Sequence, residues 1–241
     1  MSVPETVRRA FDDRSIRGKT CLEAGAGVGN ATAGLLDAGA ETVYAVTIDS
    51  DHAENVRDRF DDDGDRVVVL RADLRSIPIP DDAVEFVTAH ALFNVLTPSD
   101  ATAIAEELTR VAESGADVVV DDYAPLPEGA NVRRLFAAEN AASELARGQP
   151  ELTFYPVSGL RRLFEGFGWK HDRTRTILEP VPWTSNHVEA HVEIVRSRAA
   201  TLPDTLHDAL ATHVDDLADE IESEAVGEMY SLAMTYRDGH S

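Results

Sequence analysis

The sequence predicts an α/β fold built on a mostly parallel β-sheet. Seven apolar stretches have the length and composition of strands, and the first five alternate with helical patterns. A turn with three glycines follows the first of them, in "CLEAGAGVGNAT" at residues 21–32. Short continuous apolar runs between helices are typical of strands covered on both faces. Five such units are too few for an eight-unit barrel, so we expect a doubly wound sheet.

The elements follow from these patterns in chain order. The predicted strands cover residues 19–24, 42–48, 66–72, 83–90, 116–122, 170–180 and 228–238. The predicted helices cover residues 30–39, 51–60, 99–114, 130–148, 158–169, 184–200 and 203–224. Ser99 is the expected N-cap of the third helix, with Gly115 just past its end, and Thr184 or Ser185 is expected to cap the sixth. No Pro-, Gly- or Ser-rich linker separates two domains, so we expect one domain over residues 1–241.

The composition is strongly acidic. The formal net charge is −22, acidic residues are spread along the whole chain, and the lysines are Lys19 and Lys170 alone. This resembles proteins of salt-loving archaea, in which salt screens the self-repulsion. Such a charge makes binding to nucleic acid unlikely. The absence of an apolar signal segment or membrane span, and the single cysteine, Cys21, predict a cytoplasmic protein.

The spacing of the glycines limits the ligand. Gly25, Gly27 and Gly29 would let the backbone approach a bound molecule without a Cβ in the way. The dinucleotide fingerprint G-x-G-x-x-G requires a glycine at position 30, where this chain has Asn30. The Gly-Lys-Ser/Thr ending of a phosphate-binding P-loop is absent as well. A tight turn without a ligand is the alternative.

"CLEAGAGVGNAT" resembles the first motif of class I S-adenosylmethionine-dependent methyltransferases. The later stretches "RADL" (residues 71–74) and "VAESGADVVV" (residues 111–120) resemble that family too. The resemblance implies a Rossmann-like, seven-stranded sheet with helices on both faces, an antiparallel last strand, and extra helices forming a cap. It also implies S-adenosylmethionine as the cofactor, with Glu23 near its methionine amino group and Gly25, Gly27 and Gly29 beneath it.

The second strand departs from the family pattern. The resemblance places Thr47 where the family has an acidic residue that binds the ribose hydroxyls, followed by Ile48. A carboxylate makes stronger, charge-assisted hydrogen bonds than a hydroxyl does. Asp49, two residues on, either substitutes for that carboxylate or caps the next helix.

Further cofactor contacts follow from the same resemblance. Asp73 stands where the family accepts a hydrogen bond from the adenine amino group, and Leu74 would flank the ring. After the fourth strand, the places facing the cofactor are held by Ala89, His90, Phe93 and Asn94.

The candidate catalytic groups lie at the carboxyl ends of strands four and five. His90 is interpreted as part of the cofactor wall, with a general base or neither role as the alternatives. Tyr123, Asp121 and Asp122 are the other candidates for a base. The amino-methylating motif of the family is absent at "AHALFN". His187 and His191 in "HVEAH" are interpreted as a solvated helix face, and no metal site is predicted.

The resemblance predicts a methyltransferase that acts on a small organic acceptor. Residues 15–125 would hold the cofactor, and lid helices at about 126–160 and 183–225 would hold the acceptor. Phe136, Phe154, Tyr155 and Trp183 are expected to line the acceptor pocket, with helix packing as the alternative. The alternatives are a non-catalytic or weak cofactor binder and a tRNA or protein methyltransferase. We expect no membrane partner, and a monomer or homodimer.

Overall fold

The computed structural model describes residues 3–237, and seven of the strands form one sheet. These strands are β1 (Thr20–Ala24), β2 (Thr42–Thr47), β3 (Val67–Arg71), β4 (Val84–His90), β5 (Ala112–Tyr123), β6 (Trp169–Leu178) and β9 (Met229–Tyr236). Their order is β3-β2-β1-β4-β5-β9-β6. The last strand, β9, is antiparallel to both of its neighbours. The predicted fold class, including the antiparallel last strand, is confirmed.

Helices cover the sheet on both faces. They are α1 (Glu5–Phe11), α2 (Asn30–Asp37), α3 (Ser50–Arg59), α4 (Pro98–Val111), α5 (Val132–Arg147), α6 (Val157–Glu165), α7 (Ser185–Ala199) and α8 (Asp204–Glu220). Successive residues of a strand point to opposite faces. Accordingly, Phe86 of β4 packs with α1 and α2, whereas Val87 packs with α4 and α6. Central strands such as β4 are therefore mostly buried, as the sequence pattern indicated, whereas the edge strand β6 is largely polar and partly exposed.

The helices α5, α7 and α8 form a separate layer, called the cap below. They enclose their own hydrophobic cluster, which includes Leu135, Phe136, Val192 and Leu217. A two-stranded sheet of β7 (Pro182–Trp183) and β8 (Glu224–Ala225) closes this layer. The cluster continues onto the sheet through Met229 and Ile177, which places the cap beside the ends of β5 and β6.

Several details differ from the sequence-based expectations. The chain forms α1, β7 and β8, which were not predicted. The N-cap of α4 is Thr97, two residues before the predicted Ser99, with Oγ1 accepting the Asp100 N–H at 3.2 Å, and the helix begins at Pro98. The same helix ends at Val111, so Gly115 lies inside β5. The predicted final residue of the last strand, Asp238, lies outside the described residues. The N-cap of α7 is Thr184, as one of the two alternatives predicted.

Within residues 3–237, none of the helices combines the length and the apolar character needed to cross a membrane.

Candidate functional site

A cavity of about 900 Å³ opens at the carboxyl ends of the parallel strands. Ligands bind at this edge in open α/β sheets. Turns after β1, β2, β3 and β4 contribute to the wall, together with the start of α4 and Gln149. Seven of the predicted site residues line it: Gly25, Gly27, Thr47, Ile48, Asp73, Leu74 and His90.

The glycine turn has the backbone shape that its sequence predicted. Gly25, Gly27 and Gly29 all have positive φ, at 75°, 50° and 76°. A Cβ on Gly25 would lie 2.9 Å from Leu92 Cδ1, and Leu92 itself lines the cavity. A Cβ on Gly29 would lie 2.7 Å from the ring of Phe60, so this glycine is required by packing and does not line the cavity.

Glu23 is buried next to the glycine turn, and its carboxylate accepts hydrogen bonds from within the protein. Its carboxylate accepts the N–H groups of Ala31 (3.2 Å) and Thr32 (2.7 Å) and the hydroxyl of Thr32. These groups belong to the first turn of α2, where a carboxylate is favoured by the helix dipole. Burial nevertheless raises the pKa of Glu23 to about 7. Glu23 does not line the cavity, and its predicted contact with the cofactor remains a prediction.

The structure shows one of the two roles considered for Asp49, the capping of the next helix. Its carboxylate Oδ1 accepts the N–H groups of Asp51 and His52, both at 2.9 Å, and is therefore the N-cap of α3. Thr47 Oγ1 in turn accepts the N–H of Asp49 at 3.2 Å. Thr47, Ile48 and Asp49 all line the cavity, but the carboxylate in this group is already engaged.

Asp73 is held by an arginine that the sequence analysis did not single out. Arg75 donates to both carboxylate oxygens of Asp73 through Nε and Nη2, at 2.7–3.1 Å. Its Nη1 also reaches Asp100 Oδ1 at 3.0 Å, which links the turn after β3 to the start of α4. Arg75 and Asp100 line the cavity with Asp73. The sequence signal for Arg75 was its place two residues after the aspartate in "RADLRS".

His90 ends β4 next to Asp121 of β5, and these two residues are directly paired in the sheet register. The imidazole Nδ1 lies 3.3 Å from Asp121 Oδ2. Burial opposes the charged imidazole, but the hydrogen bond to Asp121 and the nearby carboxylates outweigh it and raise the pKa of His90. His90 is thus the candidate base that both lines the cavity and has a partner that orients it.

Ala89 and Asn94 are buried and do not line the cavity. The N–H of Asn94 donates to Asp122 Oδ2 at 3.0 Å, while the N–H of Tyr123 donates to Asp122 Oδ1 at 2.8 Å. Burial raises the pKa of Asp122 to about 7 despite these bonds. These residues fix the loop after β4 against β5.

The aromatic residues expected in the acceptor pocket pack into the protein instead. Phe136 stacks on Phe154 with ring centroids 5.5 Å apart and meets Trp183 edge-on at 5.1 Å. Tyr123 packs on Trp183 at 5.3 Å in the same cluster. Tyr155 donates its hydroxyl to Leu96 O at 3.0 Å. None of these five side chains lines the cavity, and the catalytic role expected for Tyr123 stays a prediction.

Of the two histidines of "HVEAH", His187 is exposed, as predicted for a solvated face, whereas His191 is partly buried. His191 Nδ1 contacts Glu139 Oε2 at 2.7 Å, and Glu139 is fully buried inside the cap. His187 Nδ1 accepts the N–H of Thr184 at the start of α7, at 3.2 Å. Within residues 3–237 no cluster of three or more His, Cys, Asp or Glu side chains could hold a metal ion.

Comparisons with known proteins agree with this geometry. Residues 21–115 match the family model described as "Methyltransferase domain", a span from β1 into β5 that contains most of the cavity wall. Residues 21–115 are therefore similar to a methyltransferase domain. The predicted enzyme class is confirmed at the level of this domain. A comparison with curated proteins finds no match.

Solved structures show the same fold over nearly the whole chain. A candidate methyltransferase from Bacillus halodurans C-125 is 12% identical, with a TM-score of 0.67 and coverage of 96% of this chain and 99% of that one. Geranyl diphosphate C-methyltransferase from Streptomyces coelicolor A3(2), solved with Mg²⁺, geranyl diphosphate and S-adenosyl-L-homocysteine, is 14% identical (TM-score 0.61, coverage 95% and 76%). The [4+2]-cyclase SpnF is 16% identical (TM-score 0.64, coverage 98% and 81%). Because these neighbours catalyse different reactions, the likeness fixes the fold and leaves the substrate open.

Proposed function

We propose that this protein is an S-adenosylmethionine-dependent methyltransferase that acts on a small organic acceptor. The observation that carries the proposal is the single cavity shared by the glycine turn, the segments after β2 and β3, and His90. Its volume of about 900 Å³ is at the upper end of what small-molecule sites occupy, so it has room for a cofactor and a small acceptor together.

The residues present fit the cofactor. Gly25 and Gly27 present backbone to the cavity, and their positive φ angles suit glycine. Thr47 and Ile48 would face the ribose and adenine, and Asp73 with Leu74 would hold the adenine edge. When bound, S-adenosylmethionine supplies a methyl group already activated on sulfur, so positioning the acceptor provides much of the rate.

The acceptor side of the cavity is formed by residues after β4 and by the start of α4. Apolar side chains of Leu92, Val95 and Ile104 line it together with His90 and Gln149. His90 is proposed as the base for an acceptor that must lose a proton. We further propose a single domain over residues 1–241, with the cap as its acceptor-side lid, in a cytoplasmic monomer or homodimer adapted to high salt.

One observation favours a second candidate, a protein of this fold that binds the cofactor weakly. Thr47 offers a neutral hydroxyl at the ribose position, and the Asp49 carboxylate uses its Oδ1 to cap α3. A charge-assisted hydrogen bond contributes about 1.5–3 kcal/mol, so its absence lowers affinity by roughly tenfold or more.

Titration calorimetry with S-adenosylmethionine in molar KCl tests both candidates. We expect saturable binding by the wild type and binding at least about tenfold tighter by Thr47→Asp. Thr102→Asp, which adds the same charge at an exposed position of α4 away from the cavity, is the matched control and should leave the Kd unchanged. Absence of binding by the wild type up to millimolar cofactor would contradict the enzyme proposal.

Transfer of a labelled methyl group to pools of acceptors tests the substrate class. We expect labelling of small phenols, alcohols or amines, and none of bulk tRNA, since a chain with a net charge of −22 repels phosphate backbones. Labelling of tRNA or protein alone would replace the proposal with the corresponding macromolecular methyltransferase.

A further inference from the structure

Three buried carboxylates surround the inner side of His90. Asp121 touches the imidazole at 3.3 Å and is fully buried, and its second oxygen, Oδ1, has no hydrogen-bond partner among the described residues. Glu23 of β1 and Asp122 of β5 are buried close enough to interact electrostatically with His90. Burial raises the pKa of Glu23 and of Asp122 to about 7, so only part of their negative charge is present near neutral pH. The imidazole of His90 is the cationic group that lies beside these acids.

The cavity side adds further negative charge. Asp49, Asp73 and Asp100 line the cavity, together with His52 and the guanidinium of Arg75. Arg75 forms ion pairs with Asp73 and Asp100, so its positive charge is balanced by these two carboxylates. The region between the cavity and the sheet thus retains an excess of carboxylates, which favours a cation beside them.

The hydrogen bond to Asp121 sets the tautomer of His90. An ionised carboxylate only accepts hydrogen bonds, so the proton of the neutral imidazole lies on Nδ1. Nε2 then carries the lone pair, and it has no hydrogen-bond partner among the described residues. The same carboxylates raise the pKa of His90, which favours the protonated imidazole in the empty site.

We propose that the proton on His90 and the positive charge of a sulfonium cofactor compete for this acidic pocket, so that His90 releases its proton when the cofactor binds and recovers one from the acceptor during transfer. The inference rests on the proposed function and adds a substrate class to it: an acceptor whose O–H or N–H must be deprotonated. Asp121 is the positioning residue that holds Nε2 toward the cavity.

The charges and atoms balance over the cycle. The new bond joins the methyl carbon to the acceptor oxygen or nitrogen, the electron pair of the broken C–S bond stays on sulfur, and the acceptor proton goes to Nε2 of His90. The pocket holds one cation before the transfer and one after it, because the protonated His90 replaces the lost sulfonium charge. The buried carboxylates are therefore never left without a cation, which keeps their electrostatic cost low throughout.

Proton counting by titration calorimetry tests the inference directly. S-adenosylmethionine and S-adenosylhomocysteine carry the same amino acid, ribose and adenine groups, so a difference between them isolates the sulfonium charge. Each is titrated at pH 7 in molar KCl, in phosphate and in Tris, whose different ionisation enthalpies reveal the protons exchanged. We expect S-adenosylmethionine to release up to one proton more per site than S-adenosylhomocysteine.

Variants assign the released proton. In His90→Gln, which cannot hold it, both ligands should release equal numbers of protons. Asp121→Asn, which keeps the shape but removes the charge that stabilises the imidazolium, should reduce the difference at pH 7. NMR titration of the His90 imidazole in the wild type gives a measurement that needs no variant: its pKa should be lower with S-adenosylmethionine bound than with S-adenosylhomocysteine.

The outcomes separate the two proposals. Binding of both ligands by the wild type with equal proton release, or with an unchanged His90 pKa, overturns the inference and leaves the proposed function intact. A difference that survives in His90→Gln also overturns it, since another group then holds the proton. Absence of binding by either ligand overturns the proposed function itself.

Discussion

Substituting Gly25 by alanine tests whether the glycine turn serves the cavity. At φ 75° an alanine is strained by about 1–2 kcal/mol. Its Cβ would also lie 2.9 Å from Leu92 Cδ1, closer than real contacts allow, so Leu92 must move. Leu92 lines the acceptor side of the cavity where it contacts the glycine turn, so its displacement changes the space beside the proposed cofactor position. Gly25→Ala should therefore lower both stability and affinity.

Gly18 provides the matched control. Its φ is 77°, nearly that of Gly25, but a Cβ there meets nothing within 4 Å. Both variants should lose about 2–8 °C in Tm, the value that 1–2 kcal/mol gives for a chain of this size. In calorimetric titration with S-adenosylmethionine, Gly25→Ala should bind about tenfold more weakly or worse, while Gly18→Ala keeps the wild-type Kd. Equal affinities in the two folded variants would refute the assignment of Gly25 to the ligand site.

Three further predictions concern the cap, one helix start and the pH dependence of stability. Phe136→Ala should lower the free energy of unfolding by about 3–5 kcal/mol in denaturant titrations while leaving the cofactor Kd unchanged, because the ring is buried in the cap and does not line the cavity. Thr97→Ala should cost about 1 kcal/mol and Ser99→Ala less than about 0.5 kcal/mol in the same assay, because Thr97 is the cap. Burial raises the pKa of Asp122 from 3.8 to about 7, so across that range the unfolded chain binds fewer protons than the folded one and stability falls as pH rises. Thermal melts should show a higher Tm at pH 5.5 than at pH 8, and Asp122→Asn should flatten this dependence; a Tm that rises over this range would contradict the burial argument.

The sheet could be predicted from sequence because its strands are apolar on both faces. Residues such as Phe86 and Val87 are both fully buried, on opposite sides, so the run is continuous and easily recognised. The glycine turn could also be predicted from the sequence, because backbone with positive φ is usually formed by glycine.

The interior of the cap was not predictable in the same way. Phe136 of α5 and Trp183 of β7, just before α7, are 47 positions apart in the chain, and only the packing of α5 against the segment of β7 and α7 brings their rings together. An aromatic residue on an amphipathic helix has the same local pattern whether it faces a ligand or another helix. The same limit explains Glu139, whose burial against His191 follows from that helix pair.

The pairing of His90 with Asp121 could be predicted only in part from the sequence. The sequence placed His90 and Asp121 at the ends of successive strands of a parallel sheet, which was enough to make each a candidate. It could not show that β4 and β5 pair in the register that sets His90 opposite Asp121, and a shift by one residue would turn either side chain to the other face. That register converts two separate candidates into one pair, with Asp121 fixing Nδ1 and leaving Nε2 for the acceptor's proton. Burying the Asp121 carboxylate costs folding free energy, because its Oδ1 has no hydrogen-bond partner among the described residues. We infer that Asp121 is nevertheless present because its negative charge acts on the cavity through His90.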